Sequence, residues 1–218
     1  AEGSARVRIG ETEVIAGVKL ALGSPFPDKP DEGSIMVNVE LLPMSSPLFE
    51  GGPPSINSIE MSRVTDRGIR ECQAINFKKL CVEKGEKVWL VFIDIYPINA
   101  AGNIFDACTL AAMAALRDAK FPTIVDGKVN YYEKTNDPLP VEKLPISCTV
   151  WKVKDKLLVD PTPEEEKASN ARLTVVFTED NKICAMQKGG EEPLTQEESM
   201  KAVDMAEVVT NNLRGNFK

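Results

Sequence analysis

Ala107 to Ala119 reads ACTLAAMAALRDA, and its apolar residues cover nearly the whole circumference of a helix until Arg117. A helix without a polar face has to be enclosed by other elements, so this one is predicted at the centre of the fold, with Asp106 ahead of it as its cap. Just upstream, Val88 to Ile98 (VWLVFIDIYPI) is an almost unbroken apolar run of strand length, predicted to be covered on both faces. Its single ionisable residue, Asp94, is either a general base or a hydrogen-bonded structural carboxylate.

Working outward, Arg6 to Leu22 alternates polar and apolar residues around Gly10-Glu11-Thr12 and predicts a hairpin, and Ser34 to Leu42 alternates again and extends its sheet. Gly23 to Gly33 and Pro43 to Ser55 (PMSSPLFEGGPPS) are loops dense in Pro, Gly, Asp or Ser. Asn57 to about Leu80 is predicted as a helix with Asn57 or Ser58 as N-cap and Glu60 in its first turn. Phe121 to Pro145 reads as a connector with one short strand around Val129 to Tyr132. Ser147 to Val153 and Lys156 to Val159 form a strand pair turning at Lys154-Asp155; Arg172 to Thr178 and Lys182 to Gln187 form another, turning at Glu179 to Asn181. An acidic loop, Asp160 to Lys167, lies between them, and Gly189-Gly190 marks a turn after them. Thr195 with Glu198 makes the capping box of a last helix whose apolar residues are Met200, Val203, Ala206, Val209 and Leu213. This order predicts an α+β fold, mainly antiparallel sheets with packed helices, with residues 1–218 as a single domain.

The 218 residues contain no histidine, which excludes Ser-His-Asp and Cys-His nucleophilic systems, histidine general bases and histidine-ligated zinc. With 26 basic and 33 acidic residues the net charge is −7, so diffuse attraction to phosphate backbones is not expected. Contact with nucleic acid would need a local basic stripe. No apolar run approaches the ~20 residues of a membrane span and no leader-like segment is present, which predicts a cytoplasmic protein without membrane contact. Cys72, Cys81, Cys108, Cys148 and Cys184 are odd in number and far apart, as free thiols of a reducing compartment would be.

One local stripe exists. Arg63, Arg67 and Arg70 fall at i, i+4 and i+7 of the first helix, within a band roughly 60° wide. Met61, Val64, Thr65, Gly68 and Cys72 point the other way. Guanidinium groups suit phosphate because they are planar, always charged and donate two parallel hydrogen bonds to one anion. Yet Asp66 stands four residues before Arg70 and Glu71 four after Arg67, spacings that equally allow intrahelical pairs solvating a surface. The carboxylates Asp160, Glu164, Glu165 and Glu166 lack calcium-loop spacing and read as a solvated cluster.

PDEGSIMVNVELLPMSSPLFEGGPP (Pro30 to Pro54), SRVTDRGIRE (Ser62 to Glu71), GNIFDACTLAAMAAL (Gly102 to Leu116) and VDPTPEEE (Val159 to Glu166) together resemble the ribonuclease PH family. More narrowly, they resemble the non-catalytic ring subunits of archaeal exosomes. The resemblance spans the chain from its first hairpin onward, and the family's usual segment ahead of that hairpin is expected to be missing from these residues. It implies a ribonuclease PH fold and a hexameric ring of three heterodimers with a catalytic paralogue, carrying RNA-binding cap proteins. Single-stranded RNA would be threaded through the centre and shortened from its 3′ end by phosphate.

Competent members of the family carry an Asp-Gly-Gly-Thr-Arg-like run where this chain reads Ala101-Gly102-Asn103-Ile104-Phe105. They also carry a late Ala-Asp where it reads Ala171-Arg172. The acid and the phosphate-gripping arginine are both missing, which implies no catalytic residue, no metal and no cofactor on this chain. The resemblance further assigns RNA contacts to Arg63 and Arg67, with Arg70 as a third member. The alternative is a phosphorolytic exoribonuclease, or another phosphoryl-transfer enzyme, active alone through Asp94 or Glu164 to Glu166.

Overall fold

The computed structural model describes residues 1–125 and 127–215. In chain order its elements are β1 (Gly3–Ile9), β2 (Thr12–Gly23), β3 (Ser34–Val39), α1 (Ile56–Glu71), β4 (Cys81–Glu83), β5 (Lys87–Asn99), α2 (Ile104–Asp118), β6 (Lys120–Val125) and β7 (Lys128–Pro138). There follow β8 (Ile146–Val153), β9 (Lys156–Val159), α3 (Pro163–Ala168), β10 (Ala171–Phe177), β11 (Ile183–Gly190) and α4 (Gln196–Arg214). One sheet runs β1-β2-β5-β3, with β4 also paired to β5, and only its β3·β5 ladder is parallel. The other runs β11-β10-β8-β9 and is antiparallel throughout. The α+β architecture with mainly antiparallel sheets is as the sequence predicts.

The register of the first sheet follows from its side-chain period of two. Val14, Ala16, Val18 and Leu20 of β2 stand opposite Pro97, Ile95, Ile93 and Val91 of β5, so both strands turn the same apolar set toward α2. That helix is enclosed from Ile104 through Met113, as its sequence demands. It packs on β1, β2 and β5 on one side and on β8 on the other. Behind β8 and β10, a second core of Cys148, Val150, Leu173, Val175 and Phe177 packs against Ala202 and Ala206 of α4.

The strand covered on both faces is therefore β8, between α2 and α4, and not β5. Phe92, Asp94 and Tyr96 of β5 are only half-buried, because among the described residues no helix packs over them on the outer side of the first sheet. Its outer neighbours Ile15 and Met36 are 38% and 49% exposed. Asp94 stands on that face between Gly17 and Asn38, and its carboxylate makes no hydrogen bond among the described residues.

Several boundaries differ from the sequence reading. The first helix starts from Ser55, whose hydroxyl accepts the Ser58 N–H, so Glu60 lies beyond its first turn. It stops at Glu71 because Gln73 takes a left-handed conformation (φ 53°); Phe77 to Leu80 forms a separate 3-10 turn. Asp106 is not a cap: Asn103 starts α2, and Asp106 sits buried in its first turn. The supposed connector holds the β6·β7 hairpin, whose register shifts around Pro122 break the alternation that would have announced it. The acidic loop contains α3, opened by a Thr162/Glu165 capping box around Pro163. Gly189 and Gly190 end β11 instead of turning. On α4, Met200 is 58% exposed and the buried line is Ala202, Ala206 and Thr210, small residues that let the helix lie close on β8 and β10.

Candidate nucleic-acid interface

The exposed arginines owe their position to what α1 buries. Met61, Val64, Thr65, Gly68 and Ile69 face inward, and the Ser62 hydroxyl accepts the Val39 N–H at 2.9 Å, which ties the helix to β3. On its other flank α1 meets β11. A side chain at Gly68 would come within 3.4 Å of Val176, so this helix turn has no room for one larger than a methyl group without displacement. With one face fixed in this way, Arg63, Arg67 and Arg70 are left along the outer one.

The three guanidinium groups are not equivalent. Arg70 grips Asp66 with two hydrogen bonds, 3.0 Å from Nε and 2.8 Å from Nη2, and Nη2 also donates to the Ile35 carbonyl at 3.0 Å. Here the i, i+4 pair that the spacing allows does form. Arg67 donates to the Gln187 side-chain oxygen at 2.6 Å, a neutral partner on β11, and not to Glu71. Arg63 has neither a hydrogen bond nor an ion pair among the described residues. Its charge is uncompensated and free to meet an anion, Arg67's is held in place but not neutralised, and Arg70's is largely spent within the protein.

Behind the same helix lies a fourth arginine with a different environment. Arg172 of β10 forms a 2.5 Å salt bridge with Glu60 of α1. Its guanidinium carbon lies 4.6 Å from the Phe105 ring centre and 5.3 Å from that of Trp151, and the two rings meet nearly edge to face at 6.3 Å. The planar cation is thus paired at its edge and covered on its face. Gly189 makes this possible, since a Cβ there would fall 2.6 Å from the guanidinium carbon.

Next to Phe105 on α2, Asp106 accepts hydrogen bonds from the Thr149 N–H (3.0 Å), the Thr149 hydroxyl (2.9 Å) and the Ser147 hydroxyl (3.2 Å). Burial nonetheless outweighs these donors and pushes its carboxyl up to about 6. Upstream of it, Gly102 has φ +102° and approaches the Pro161 carbonyl so closely that a Cβ would sit 2.0 Å from that oxygen. The Asn103 N–H donates to Glu166 at 2.8 Å, and burial raises that carboxyl above the usual range. Glu165 is engaged in its capping box. A cleft of about 730 Å³ opens beside these groups, between the 43–55 loop, the start of α1 and α3. Among the described residues no three His, Cys, Asp or Glu side chains are grouped to hold a metal ion. No described helix is long and apolar enough to cross a membrane.

Sequence reasoning found the row on α1 but not Gln187, Glu60 or Trp151, whose relation to the arginines arises only from the β10·β11 sheet lying behind the helix. No local pattern could have signalled them.

Comparison with known proteins follows the same division of the chain. Residues 1–122 match the first domain of the 3′ exoribonuclease family, and residues 143–209 match its second domain. An exosome complex component Rrp42 from Methanothermobacter thermautotrophicus is 49% identical over 208 residues, covering 94% of this chain and 77% of that protein. The structure is similar to a chain of an Archaeoglobus fulgidus exosome with RNA bound to the active site, with a TM-score of 0.92 and 45% identity, covering 100% of this chain and 84% of the other. It is also similar to a chain of an archaeal exosome core, with a TM-score of 0.87 and 42% identity, covering 100% and 81%.

Proposed function

The chain belongs to the 3′ exoribonuclease family of ribonuclease PH-like proteins, and from that premise we propose that it is the ring subunit of an archaeal exosome that holds RNA for a catalytic neighbour without cutting it. Near-complete coverage by exosome components at more than 40% identity supports the ring assignment. The ring is taken as three heterodimers with a catalytic paralogue, in the cytoplasm, carrying RNA-binding cap proteins and threading single-stranded RNA.

The observation that carries the non-catalytic part is the contact between Arg172 and Phe105. In phosphorolysis an oxygen of inorganic phosphate attacks a phosphodiester, so two anionic groups must be held together while an acid or metal-binding carboxylate serves the leaving oxygen. By family resemblance the position of Phe105 would carry the anion-gripping arginine and that of Arg172 the catalytic aspartate. Here an aromatic ring stands at the first and a cation at the second, and they stack on each other. Glu60 neutralises that cation. A phosphate entering this space would meet a cation already paired with a carboxylate and covered by aromatic rings.

The chain's contribution to the reaction is then electrostatic and positional. Arg63 and Arg67 supply charge-assisted hydrogen bonds to backbone phosphates near the heterodimer seam, with Arg70 in a lesser role because Asp66 already occupies it. A focused cluster of this kind works on a chain of net charge −7, since the local field and not the overall charge decides binding.

Mixing the chain with its catalytic paralogue should give phosphate-dependent RNA shortening, and the chain alone none. Arg63→Ala with Arg67→Ala in the assembled ring should weaken RNA binding and flatten its salt dependence, by roughly 0.7 in slope for each single-strand phosphate that is no longer neutralised. Unchanged binding and salt slope would reduce the subunit to an architectural spacer. Phosphorolysis by the isolated chain would overturn the reading altogether.

A further inference from the structure

Two cysteines far apart in sequence meet at the end of the arginine helix. Cys72 follows α1, its sulfur 3.5 Å from the Ile69 carbonyl oxygen. Cys184, on β11, places its sulfur 4.0 Å from the neighbouring Gly68 carbonyl oxygen and 3.6 Å from that of Val176. Both thiols thus converge on adjacent carbonyls, Gly68 and Ile69, of one turn of α1. The Lys143 ammonium group lies alongside, donating to the Cys72 carbonyl at 2.9 Å. We propose that Cys72 and Cys184 form a redox-active dithiol that a peroxide converts into a disulfide, fastening the end of α1 to β11.

The two members differ in the way such chemistry needs. Cys184 is half-buried, whereas Cys72 is only 3% exposed. The adjoining Cys72 thiol, together with the Lys143 charge, lowers the Cys184 thiol below its ordinary value, while the proximity of Cys184 and burial raise Cys72. Cys184 is therefore the attacking thiolate and Cys72 the resolving thiol. Burial raises Cys108 and Cys148, which keeps them as unreactive thiols.

In the first step the Cys184 sulfur attacks one peroxide oxygen; an S–O bond forms, the O–O bond breaks, and the departing hydroxide takes up a proton to leave as water. In the second, Cys72 gives up its proton and its sulfur attacks the sulfenic sulfur; the S–S bond forms, the S–O bond breaks, and a second water leaves. Two thiols lose two electrons and the peroxide gains them. The bond would join the same two elements that the Arg67·Gln187 contact bridges. The site itself does not depend on the RNA reading.

The test uses the full chain, reduced, desalted, treated with a small excess of hydrogen peroxide and then alkylated under denaturing conditions. The expected product has two alkylatable thiols fewer than the five of the reduced chain, and its peptide map contains one linked pair holding Cys72 and Cys184. Dithiothreitol restores all five, and in Cys184→Ser the Cys72 thiol stays alkylatable at the same dose. Retention of all five thiols, a link through Cys81 or between chains, or Cys184 carried to the sulfinic acid with Cys72 still free would each overturn the proposal.

Discussion

Arg63 and Arg172 both adjoin α1, one on its outer face and one behind it, and they carry the same charge into opposite circumstances. Arg172 spends its charge on Glu60 and its planar face on Phe105 and Trp151, with a side chain only 14% exposed. Arg63 stands in solvent with no protein partner among the described residues. Residue type alone does not make an arginine available to an anion; what matters is whether the fold has already satisfied it. Arg70 shows the intermediate case on the outer face, where Asp66 and the Ile35 carbonyl compete with any ligand. The interior set holds the molecule together, and the outer set stays accessible on its surface.

This contrast can be broken at several points. The largest effect is expected from Asp106, a buried carboxyl on the inner side. Its carboxyl is raised from an ordinary 3.8 to about 6, so the folded state binds its proton more tightly than the unfolded chain does. Its contribution to stability is fully present below about pH 4 and is lost as pH rises through about 6, an effect of about 3 kcal/mol. Urea melts of the wild type and Asp106→Asn across that window should diverge accordingly. Identical pH profiles would mean that the group does not titrate there. Glu198 and Asp180 pull the other way, since Lys152 and Lys182 lower their carboxyls, but they are common to both proteins and cancel in the difference.

Arg172→Ala should come next, costing about 2 kcal/mol through loss of the stacked cation and an unpaired Glu60. Arg63→Ala should fall within about 0.5 kcal/mol of the wild type. Equal destabilisation by the two would erase the distinction between inner and outer arginines. Gly189→Ala sharpens it further: the new methyl group must displace the Arg172 guanidinium from Phe105, with an expected loss of about 1 kcal/mol that should largely vanish in an Arg172→Ala background. The smallest effects belong to the outer row, read as RNA affinity of the assembled ring. Arg63→Ala should weaken binding roughly fivefold and Arg70→Ala less than twofold, because exposed charge-assisted contacts are worth about 1 kcal/mol and Asp66 already holds Arg70. A reversed order would show that RNA draws Arg70 away from Asp66.

What the sequence disclosed was local. Turns at Gly10, Lys154 and Asn181 have positive φ and lie where Gly, Asp and Asn cluster between alternating strands, so their hairpins were readable. The Thr195/Glu198 capping box gave the start of α4, but the same grammar at Thr162/Glu165 opens a helix of only six residues, too short to show an apolar period of its own. Gln73 ends α1 without any Gly or Pro to announce it. The apolar run of β5 suggested two covered faces, whereas the strand that has them, β8, carries Ser147 and Thr149 toward the Asp106 carboxylate and so looks too polar for the part. Within the site, helical spacing placed Arg63, Arg67 and Arg70 on one face and offered Asp66 to Arg70. The Arg67·Gln187 contact joins residues 120 positions apart and had no signature to find.

The enclosure of α2 by both sheets bears on how this gene can be cut. Residues 1–122 and 143–209 match separate family domains, and the stretch between them looks like a natural breakpoint. Yet an N-terminal fragment ending there would keep α2 while losing β8, baring the Phe105 and Asp106 side of an almost wholly apolar rod, and the C-terminal fragment would lose the surface on which Trp151 rests. Expressed apart, the two pieces should precipitate; co-expressed, they should reassemble around that shared helix.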